Sequence, residues 1–594
     1  MAMAGSQIAV GVSVAGDVER ELAELARARG PLRRVAAALA AQWVAQQGWS
    51  RLGFARLGDY AREWLGVSPR SLQEWARVGT QLAELPALDA ALVSGRLPWS
   101  KVRLLARFVT PDDERHWIGV AAGASVRRLE RQLRAVDRGA LDAGGLDLAG
   151  PASGGEPTRW VRLRVPTPLA FKWQRAKQVA AKVEGQSLSA GEVLERVTAE
   201  VVSGLPVALE TTDGMRPGGS EDASAYLVDP PEGSDSPPSF AVDPSADCAE
   251  LPVFLLPLLE GLCEADAFEL DARLRRVVRL EQRLDAQLAP LLRQVTSPEY
   301  EWRERYASLA VLARECLGMS PSKARALLRV ERLGDVCPAL REAYRDGGLS
   351  WVQAQILAPL LASDAEGNWR GVWVRFAATV TVRRLTEAVE RARLWRKTDP
   401  VGFGEHRDAP EPFCEPDPGQ SRGERQTCAR AEDVLGGVRL EIAAPSDVAR
   451  LFDAVLCTLR RAIERETGQL PPVDVVFEAM LDHALTSWGV DDAWLRRRMS
   501  KRHYAVLDRD DWRCVFPGCS SRRNLHLHHI QFRSAGGSDH GSNLTTLCAF
   551  HHQRGVHEGK VTVRGRAPDA LEFELGLRPR QAPLATFRSG DRVA

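Results

Sequence analysis

Most of the chain alternates apolar and polar residues with the period of an amphipathic helix. The stretch VERELAELARARGPLRRVAAALAAQWVAQ at 18–46 places Val, Leu and Ala three or four positions apart among Arg and Glu, which favours helices. Two segments lack this period. Residues 205–250 and 398–433 are rich in Pro, Gly, Ser and acidic residues, which predicts flexible linkers. The pattern therefore predicts a mainly α, multidomain chain.

The helical part contains a duplication. At an offset of 252 residues, AREWLGVSPRSLQEWARV at 61–78 matches ARECLGMSPSKARALLRV at 313–330, and sixteen of the 39 positions from Ala61 to Trp99 are identical. SVRRLERQ at 125–132 recurs as TVRRLTEA at 381–388, and VRLRVPTP at 161–168 recurs as VRLEIAAP at 438–445. We predict two copies of one helical module, the first at 1–204 and the second at 251–397, completed by 434–490.

Each copy contains a helix junction whose residues predict where one helix ends and the next begins. A helix ends at Leu-Gly, and Ser68-Pro69 or Ser320-Pro321 opens the next helix, because Ser suits the N-cap and Pro the first turn. This spacing occurs in helix-turn-helix DNA readers and in ordinary bundles. Direct DNA reading and a structural scaffold both stay open, as does docking on a protein partner or a second protomer to form a homodimer.

Charge and hydropathy narrow the class of protein. The 79 Lys and Arg almost balance the 78 Asp and Glu, but the segment 496–566 has fourteen basic and five acidic residues, which indicates a polyanionic partner. Candidate phosphate contacts at its start are Arg496, Arg497, Arg498, Lys501 and Arg502. There is no apolar run of about 18 residues and no basic signal-peptide segment at the N-terminus, so we expect a cytoplasmic protein with no membrane partner.

The candidate metal-binding and catalytic side chains are concentrated near the C-terminus. Seven of the eleven histidines fall within residues 526–560. The loop CVFPGC and the later LCAFHH supply a Cys3His set suited to tetrahedral zinc, consisting of Cys514, Cys519, Cys548 and His551. LHLHHI predicts a strand, SAGGSDHGSN a loop and CAFHHQRGVH a helix. This order would gather His528, His552 and His557 around a second metal ion and leave His529 free to act as a base.

At this point the run CVFPGC, LHLHHI, GG, SNLTTLC and HHQRGVHEGK resembles the HNH endonuclease family. The resemblance implies a ββα-metal domain at 491–575, followed by a tail at 576–594. It also implies hydrolysis of DNA phosphodiester bonds with one divalent ion, either Mg²⁺, Mn²⁺, Ni²⁺ or Zn²⁺, in addition to the structural zinc.

The same resemblance assigns roles to individual residues. His529 would be the general base, and Asn543 would fasten the loop and orient that base. His528, His552 and His557 would hold the catalytic ion. In many relatives the last two histidines are four residues apart, whereas His552 and His557 are five apart; a break or bulge at Gly555 could restore the geometry.

Two other functions stay open. A zinc-containing, non-catalytic DNA-binding or accessory protein would be expected to have a damaged HNH core, and here the core is complete. A toxin with a C-terminal nuclease would be expected to have delivery signals. For the leading function, a fragment from about Asp491 onward contains every proposed ligand and the base, so we expect it to fold with metal and to cut DNA by itself.

Overall fold

A computed structural model describes residues 5–133, 158–186, 188–204, 250–297, 308–362, 369–410, 438–498, 500–510, 512–589 and 591–593. These residues form a mostly helical protein with three small antiparallel sheets. None of the helices in the described ranges combines the length and the apolar composition that a membrane span requires. Residues 205–249 and 411–433 of the two predicted linkers lie outside these ranges.

The first copy forms a helical unit followed by a strand and two helices. Its helices are α1 Gly5–Ala45, α2 Gly48–Arg51, α3 Leu57–Asp59, α4 Pro69–Leu82, α5 Pro86–Val93, α6 Trp99–Leu105 and α7 Glu114–Gly123. A π-helical segment, Tyr60–Leu65, continues α3, and residues 126–133 are also helical. The last elements are strand β1 Thr158–Val165 and helices α8 Thr167–Glu184 and α9 Ala190–Gly204.

The second copy repeats this order. Its helices before the second strand are α10 Ala267–Val295, α11 Leu309–Val311, α12 Pro321–Leu333, α13 Pro338–Asp346, α14 Trp351–Leu361, α15 Trp369–Thr379, α16 Val382–Thr398 and α17 Pro400–His406. The π-helical segment Leu312–Cys316 continues α11. Strand β2 Val438–Pro445 and helices α18 Ser446–Thr467 and α19 Val473–Arg498 follow. Helix α17 lies inside the predicted linker 398–433, and it is held there by Phe403, which is only 3% exposed.

The helix junctions have the predicted caps and turns. The Ser68 side chain accepts a hydrogen bond from the Ser71 amide, and Ser320 accepts one from Lys323. Gly66, with φ of 73°, makes the tight turn before α4. A Cβ on Gly66 would lie 2.4 Å from the Cβ of Ser350, so this junction packs closely against the second copy.

Each copy caps a helix of the other. The Glu63 carboxylate accepts hydrogen bonds from the amides of Val382 and Arg383, at 2.6 and 2.8 Å. Glu315, which is equivalent to Glu63 at the offset of 252, accepts a 2.7 Å bond from the amide of Val126. Because unpaired amides at a helix start attract a carboxylate, the two copies complete each other in a reciprocal arrangement.

The strands of the two copies also pair with each other. β1 and β2 form an antiparallel ladder that runs from Thr158↔Pro445 to Val165↔Val438. The core beneath this ladder contains residues of both copies, for example Trp173 of α8 and Phe452 and Phe477 of the second copy. A single strand would expose both its edges, and pairing between the copies covers one edge of each.

The C-terminal part contains short strands and helices. Its elements are α20 Lys501–Arg509, β3 Leu525–His529, β4 Leu544–Cys548, α21 Phe550–His557, β5 Val561–Arg566, β6 Ala570–Leu575, β7 Ala585–Arg588 and β8 Asp591–Val593. β3 pairs with β4, and β5 to β8 form a four-stranded sheet in sequential order. Residues 576–594, expected to be a tail, instead supply β7 and β8, with Phe587 buried at 5% exposure.

The C-terminal part shares its hydrophobic core with the first copy. Cys514, Phe516 and Phe573 belong to the same buried cluster as Phe54 and Tyr60. Gly53, with φ of 96°, allows close approach here, because a Cβ at this position would lie 2.8 Å from the Leu575 side chain. The chemistry-bearing residues are therefore positioned by contacts with the helical modules as well as by their own sheet.

Candidate metal centres

Four predicted zinc ligands meet in one buried cluster. Ligand atoms of Cys514, Cys519, Cys548 and His551 all lie within 4.8 Å of one another, and each residue is at most 3% exposed. His551 Nδ1 lies 3.4 Å from the Cys514 sulfur and 3.3 Å from that of Cys548. Tetrahedral zinc with its usual bond lengths separates sulfur and nitrogen ligands by about 3.5 Å. The donor set, its burial and its spacing therefore fit a metal ion such as zinc.

Local structure explains how the four residues converge. Gly518, with φ of 75°, turns the loop between Cys514 and Cys519. Cys548 ends β4, and His551 lies in the first turn of α21. One tight turn and one strand-to-helix junction thus bring together residues that are up to 37 positions apart.

Close contact among the thiols and the imidazole of this cluster shifts their pKa values. Hydrogen bonds with Cys514 and Cys519 hold the pKa of Cys548 far below its usual value. Burial alone would lower the pKa of His551, but the sulfurs of Cys514 and Cys548 outweigh it and raise that pKa to about 10. Metal binding at such a site displaces protons, so affinity for a metal ion rises with pH.

Both copies of the helical module support the cluster from outside. His551 donates its other ring N–H, at Nε2, to the carbonyl of Gly53 at 3.0 Å, which leaves Nδ1 to face the sulfurs. Arg383 donates from Nη1 to the carbonyls of Cys514, Phe516 and Cys519, at 3.2, 3.3 and 2.7 Å. Partners that orient ligands in this way contribute strongly to metal affinity. Sequence patterns could not reveal them, because they come from distant segments.

A second cluster contains three histidines. Ligand nitrogens of His528, His552 and His557 lie within 4.8 Å of one another. His528 is only 1% exposed, whereas His552 is half-buried and His557 exposed. The cluster is thus anchored on the buried side of β3 and open to solvent on the side of α21. Three nitrogen ligands with an open side can hold a metal ion and a further oxygen ligand.

The five-residue spacing of His552 and His557 is accommodated by the type of helix. In an α-helix, with about 3.6 residues per turn, residues five apart point about 140° away from each other. α21 is π-helical from Phe550 to His557, and its hydrogen bonds to the fifth preceding residue widen the turn. The two imidazoles consequently lie on one side, with ring centroids 4.8 Å apart. The whole segment is wound more loosely, rather than bulged at Gly555 alone.

The environment of His528 and His552 favours neutral imidazoles. Burial, followed by the neighbouring His552 and His557, lowers the pKa of His528 to about 4. Burial and His557 lower the pKa of His552 as well. The neutral form is the one that binds metal. His526 adds a further contact, because its Nδ1 lies 3.2 Å from Nδ1 of His552 and can fix the orientation of that ring.

His529 lies beside this cluster but faces charged side chains. Its Nε2 lies 2.8 Å from Oδ1 of Asp539 and 3.1 Å from Nε of Arg533. Hydrogen bonds from His529 and then Arg533 hold the pKa of Asp539 down at about 2, so this carboxylate is ionised. Sequence reasoning missed Asp539 and Arg533. Their only signal was position, within the polar loop between β3 and Asn543.

Asn543 organises the loop between the two strands. Its side-chain oxygen accepts from the Gln531 amide at 2.8 Å, and its side-chain nitrogen donates to the carbonyls of Gln531 and Ser538, at 3.1 and 2.8 Å. Its backbone carbonyl accepts from the Ile530 amide at 2.9 Å. These bonds close the loop immediately after His529, so Asn543 fixes the backbone next to that histidine.

The basic residues predicted to contact phosphate fall into two groups. Lys501 and Arg502 begin α20 and are exposed, and Arg502 Nη1 lies 3.2 Å from Oδ2 of Asp539. The backbone of Arg496, Arg497 and Arg498 belongs to α19, but their side chains lie outside the described part of the structure.

No protein-family model matches this chain, and comparisons with curated proteins and with solved structures found no match either.

Proposed function

We propose that this protein is an HNH-type endonuclease that hydrolyses DNA phosphodiester bonds with one divalent metal ion. One observation carries the proposal: an open three-histidine cluster and a fourth histidine, His529, lie together on the element order β3, β4 and α21. This order supports the ββα-metal domain that the sequence resemblance implies. The other predicted ligands, Cys514, Cys519, Cys548 and His551, form a separate closed cluster and are not needed for the chemistry.

The two clusters suit different tasks. Cys514, Cys519, Cys548 and His551 would hold zinc with no open position, which stabilises structure without chemistry. His528, His552 and His557 leave room for an oxygen ligand on their exposed side. A divalent ion in the second cluster would neutralise charge on the phosphate and on the departing 3′ oxygen.

His529 would be the general base. Its imidazole is next in sequence to His528 and is 19% exposed, which places it at the solvent edge of the cluster. A neutral imidazole can accept a proton from a water molecule and so act as a general base. Asn543 would keep His529 in place through the loop bonds, and cleavage would leave 5′-phosphate and 3′-hydroxyl ends.

Basic residues around the site suit DNA as the substrate. Arg502 and Arg533 both contact Asp539, the partner of His529, and Lys501 precedes Arg502 on α20; all three side chains are cationic and exposed. Contacts of this kind bind phosphate without reading bases. The two helical modules would then serve as the scaffold of the nuclease and as a surface for a protein partner or a second protomer.

A plasmid-cleavage assay tests the proposal. Full-length protein is incubated with supercoiled plasmid and Mg²⁺, Mn²⁺, Ni²⁺ or Zn²⁺, and a His552→Ala variant with retained zinc serves as the control. Cleavage by the wild type with at least one metal, and its loss in the variant, is expected. Absence of cleavage with every metal, in protein shown to contain both ions, would reject the nuclease.

A further inference from the structure

One carboxylate links the candidate base to two arginines. Oδ1 of Asp539 lies 2.8 Å from Nε2 of His529 and 2.7 Å from Nη2 of Arg533, and Oδ2 lies 3.2 Å from Nη1 of Arg502. The four residues come from the end of β3, from the following loop and from the first turn of α20. The tertiary fold therefore brings two positive charges to one point beside His529.

Stability does not account for this arrangement. The side chains of Arg502, Arg533 and Asp539 are 58%, 69% and 42% exposed. Ion pairs in such exposed positions add little to folding, because water and salt compete for both partners. The same exposure allows the carboxylate to be exchanged for another anion.

The position of Asp539 also conflicts with the action of His529 as a base. A ring nitrogen presents one lone pair or one N–H in the plane of the ring. At Nε2 of His529 this direction is occupied by the Asp539 carboxylate and the Arg533 guanidinium. Because a carboxylate only accepts hydrogen bonds, Nε2 carries the ring proton while Asp539 is in place. Nε2 can accept a proton from water only after Asp539 has moved away and the ring proton has passed to Nδ1.

A phosphodiester resembles the carboxylate in the features that matter here. Both are anions that offer two oxygens to guanidinium groups, and arginine binds either one in a forked geometry. A DNA backbone phosphate that approaches His529 would meet Arg502 and Arg533 in the positions that now hold Asp539.

We propose that Arg502 and Arg533 form a binding site for a backbone phosphate of DNA, and that Asp539 occupies this site in the free chain. The inference rests on the proposed nuclease function, since it places the phosphate at the candidate base. Binding of DNA displaces the Asp539 carboxylate, and this displacement exposes Nε2 of His529 to water. The pair thus couples the arrival of substrate to the availability of the base.

Binding measured without cleavage tests the site. Full-length variants are titrated into a fluorescein-labelled DNA duplex without added divalent ions and without chelator, and anisotropy gives the affinity. D539N is expected to bind the duplex about threefold or more tighter than the wild type, because the competing anion is gone. R533A is expected to bind about threefold or more weaker, with a salt dependence reduced by about one phosphate contact.

The matched control is D569N, which removes the same charge from the exposed turn between β5 and β6. If D539N binds no tighter than D569N, or if R533A binds as the wild type does, the proposal is wrong. If Asp539 only orients His529, D539N is expected to bind DNA no tighter than D569N and to cleave it more slowly. If the affinity shifts appear but the protein does not cleave DNA with any of the metals tested, the phosphate site is supported and the proposed nuclease function is rejected.

Discussion

Arg29 of α1 and Asp285 of α10 form an ion pair in which both side chains are at most 5% exposed. A second pair joins Arg33 to Glu281, and Arg29 also lies 3.4 Å from Glu281. At the offset of 252, position 29 is equivalent to 281 and position 33 to 285. Equivalent positions thus carry arginine in one copy and acid in the other, so each copy is complementary to the other and not to itself.

Removing one partner of this network is expected to destabilise the scaffold strongly. Asp285→Asn leaves Arg29 buried without its main counter-charge, and breaking a buried pair in this way costs about 3–5 kcal/mol. Urea denaturation followed by circular dichroism measures the loss. Asp335→Asn is the control, because Asp335 pairs with Arg293 and Arg341 at the surface and little change is expected. Equal effects of the two substitutions would contradict the prediction.

The same network predicts a loss of stability in acid. Burial alone would raise the pKa of Glu281, but Arg33, Lys323 and Arg29 lower it from 4.5 to about 2. Since the folded protein holds this proton less tightly than the unfolded chain, the stabilisation is complete above pH 4.5 and is lost between pH 4.5 and 2. Glu281→Gln should flatten this part of the stability profile. An unchanged slope in unfolding experiments at pH 4.5, 3.5 and 2.5 would show that other groups control it.

Arg383 is expected to strengthen zinc binding although it is not one of the candidate ligands. Arg383→Ala removes the donor to three carbonyls of the Cys514–Cys519 loop, and losses of such supporting contacts typically lower metal affinity by about 10–100-fold. Competition with a chromogenic chelator measures the affinity. The control is Arg393→Ala, which removes an exposed arginine of the same helix α16. This variant should bind zinc with the affinity of the wild type. Zinc retention in Arg383→Ala equal to that control would exclude the supporting role.

His529→Ala should separate chemistry from metal binding. Loss of a general base lowers the rate by about 10²–10⁴-fold, whereas both ligand sets remain intact. Plasmid cleavage and metal content by mass spectrometry are the two readouts, with the exposed His116→Ala as the control. Simultaneous loss of metal and activity would make His529 a ligand or a structural residue.

A fragment that starts at Asp491 is expected to fold poorly, contrary to the expectation from the sequence. Cys514, Phe516 and Phe573 would lose the apolar partners supplied by Phe54 and Tyr60, and His551 would lose Gly53. Limited proteolysis and dye binding should report an open core even with zinc. Addition of residues 1–410 should restore protection, and a fragment that is compact by itself would contradict the shared core.

Features set by neighbouring residues were predicted well from the sequence. The caps at Ser68 and Ser320, the order of strand, loop, strand and helix after residue 525, and the clustering of the four candidate metal ligands all follow from local motifs in the sequence. The supporting contacts could not be predicted, because Gly53 is 498 residues from His551 and Arg383 is 131 residues from Cys514. Strands β7 and β8 have four and three residues, which is too short for a recognisable alternation.

The reciprocal caps have a consequence for synthesis of the chain. Val126 leaves the ribosome 189 residues before Glu315, and at roughly 5–20 residues per second this interval lasts roughly 10–40 s. During that time the Val126 amide lacks the Glu315 carboxylate, β1 is unpaired, and Val18 and Leu22 of α1 lack the apolar partners that the second copy supplies. Nascent chains of intermediate length are therefore the species most exposed to chaperones and proteases, and a translational pause between residues 204 and 315 would lower the yield of folded protein more than a pause after residue 490.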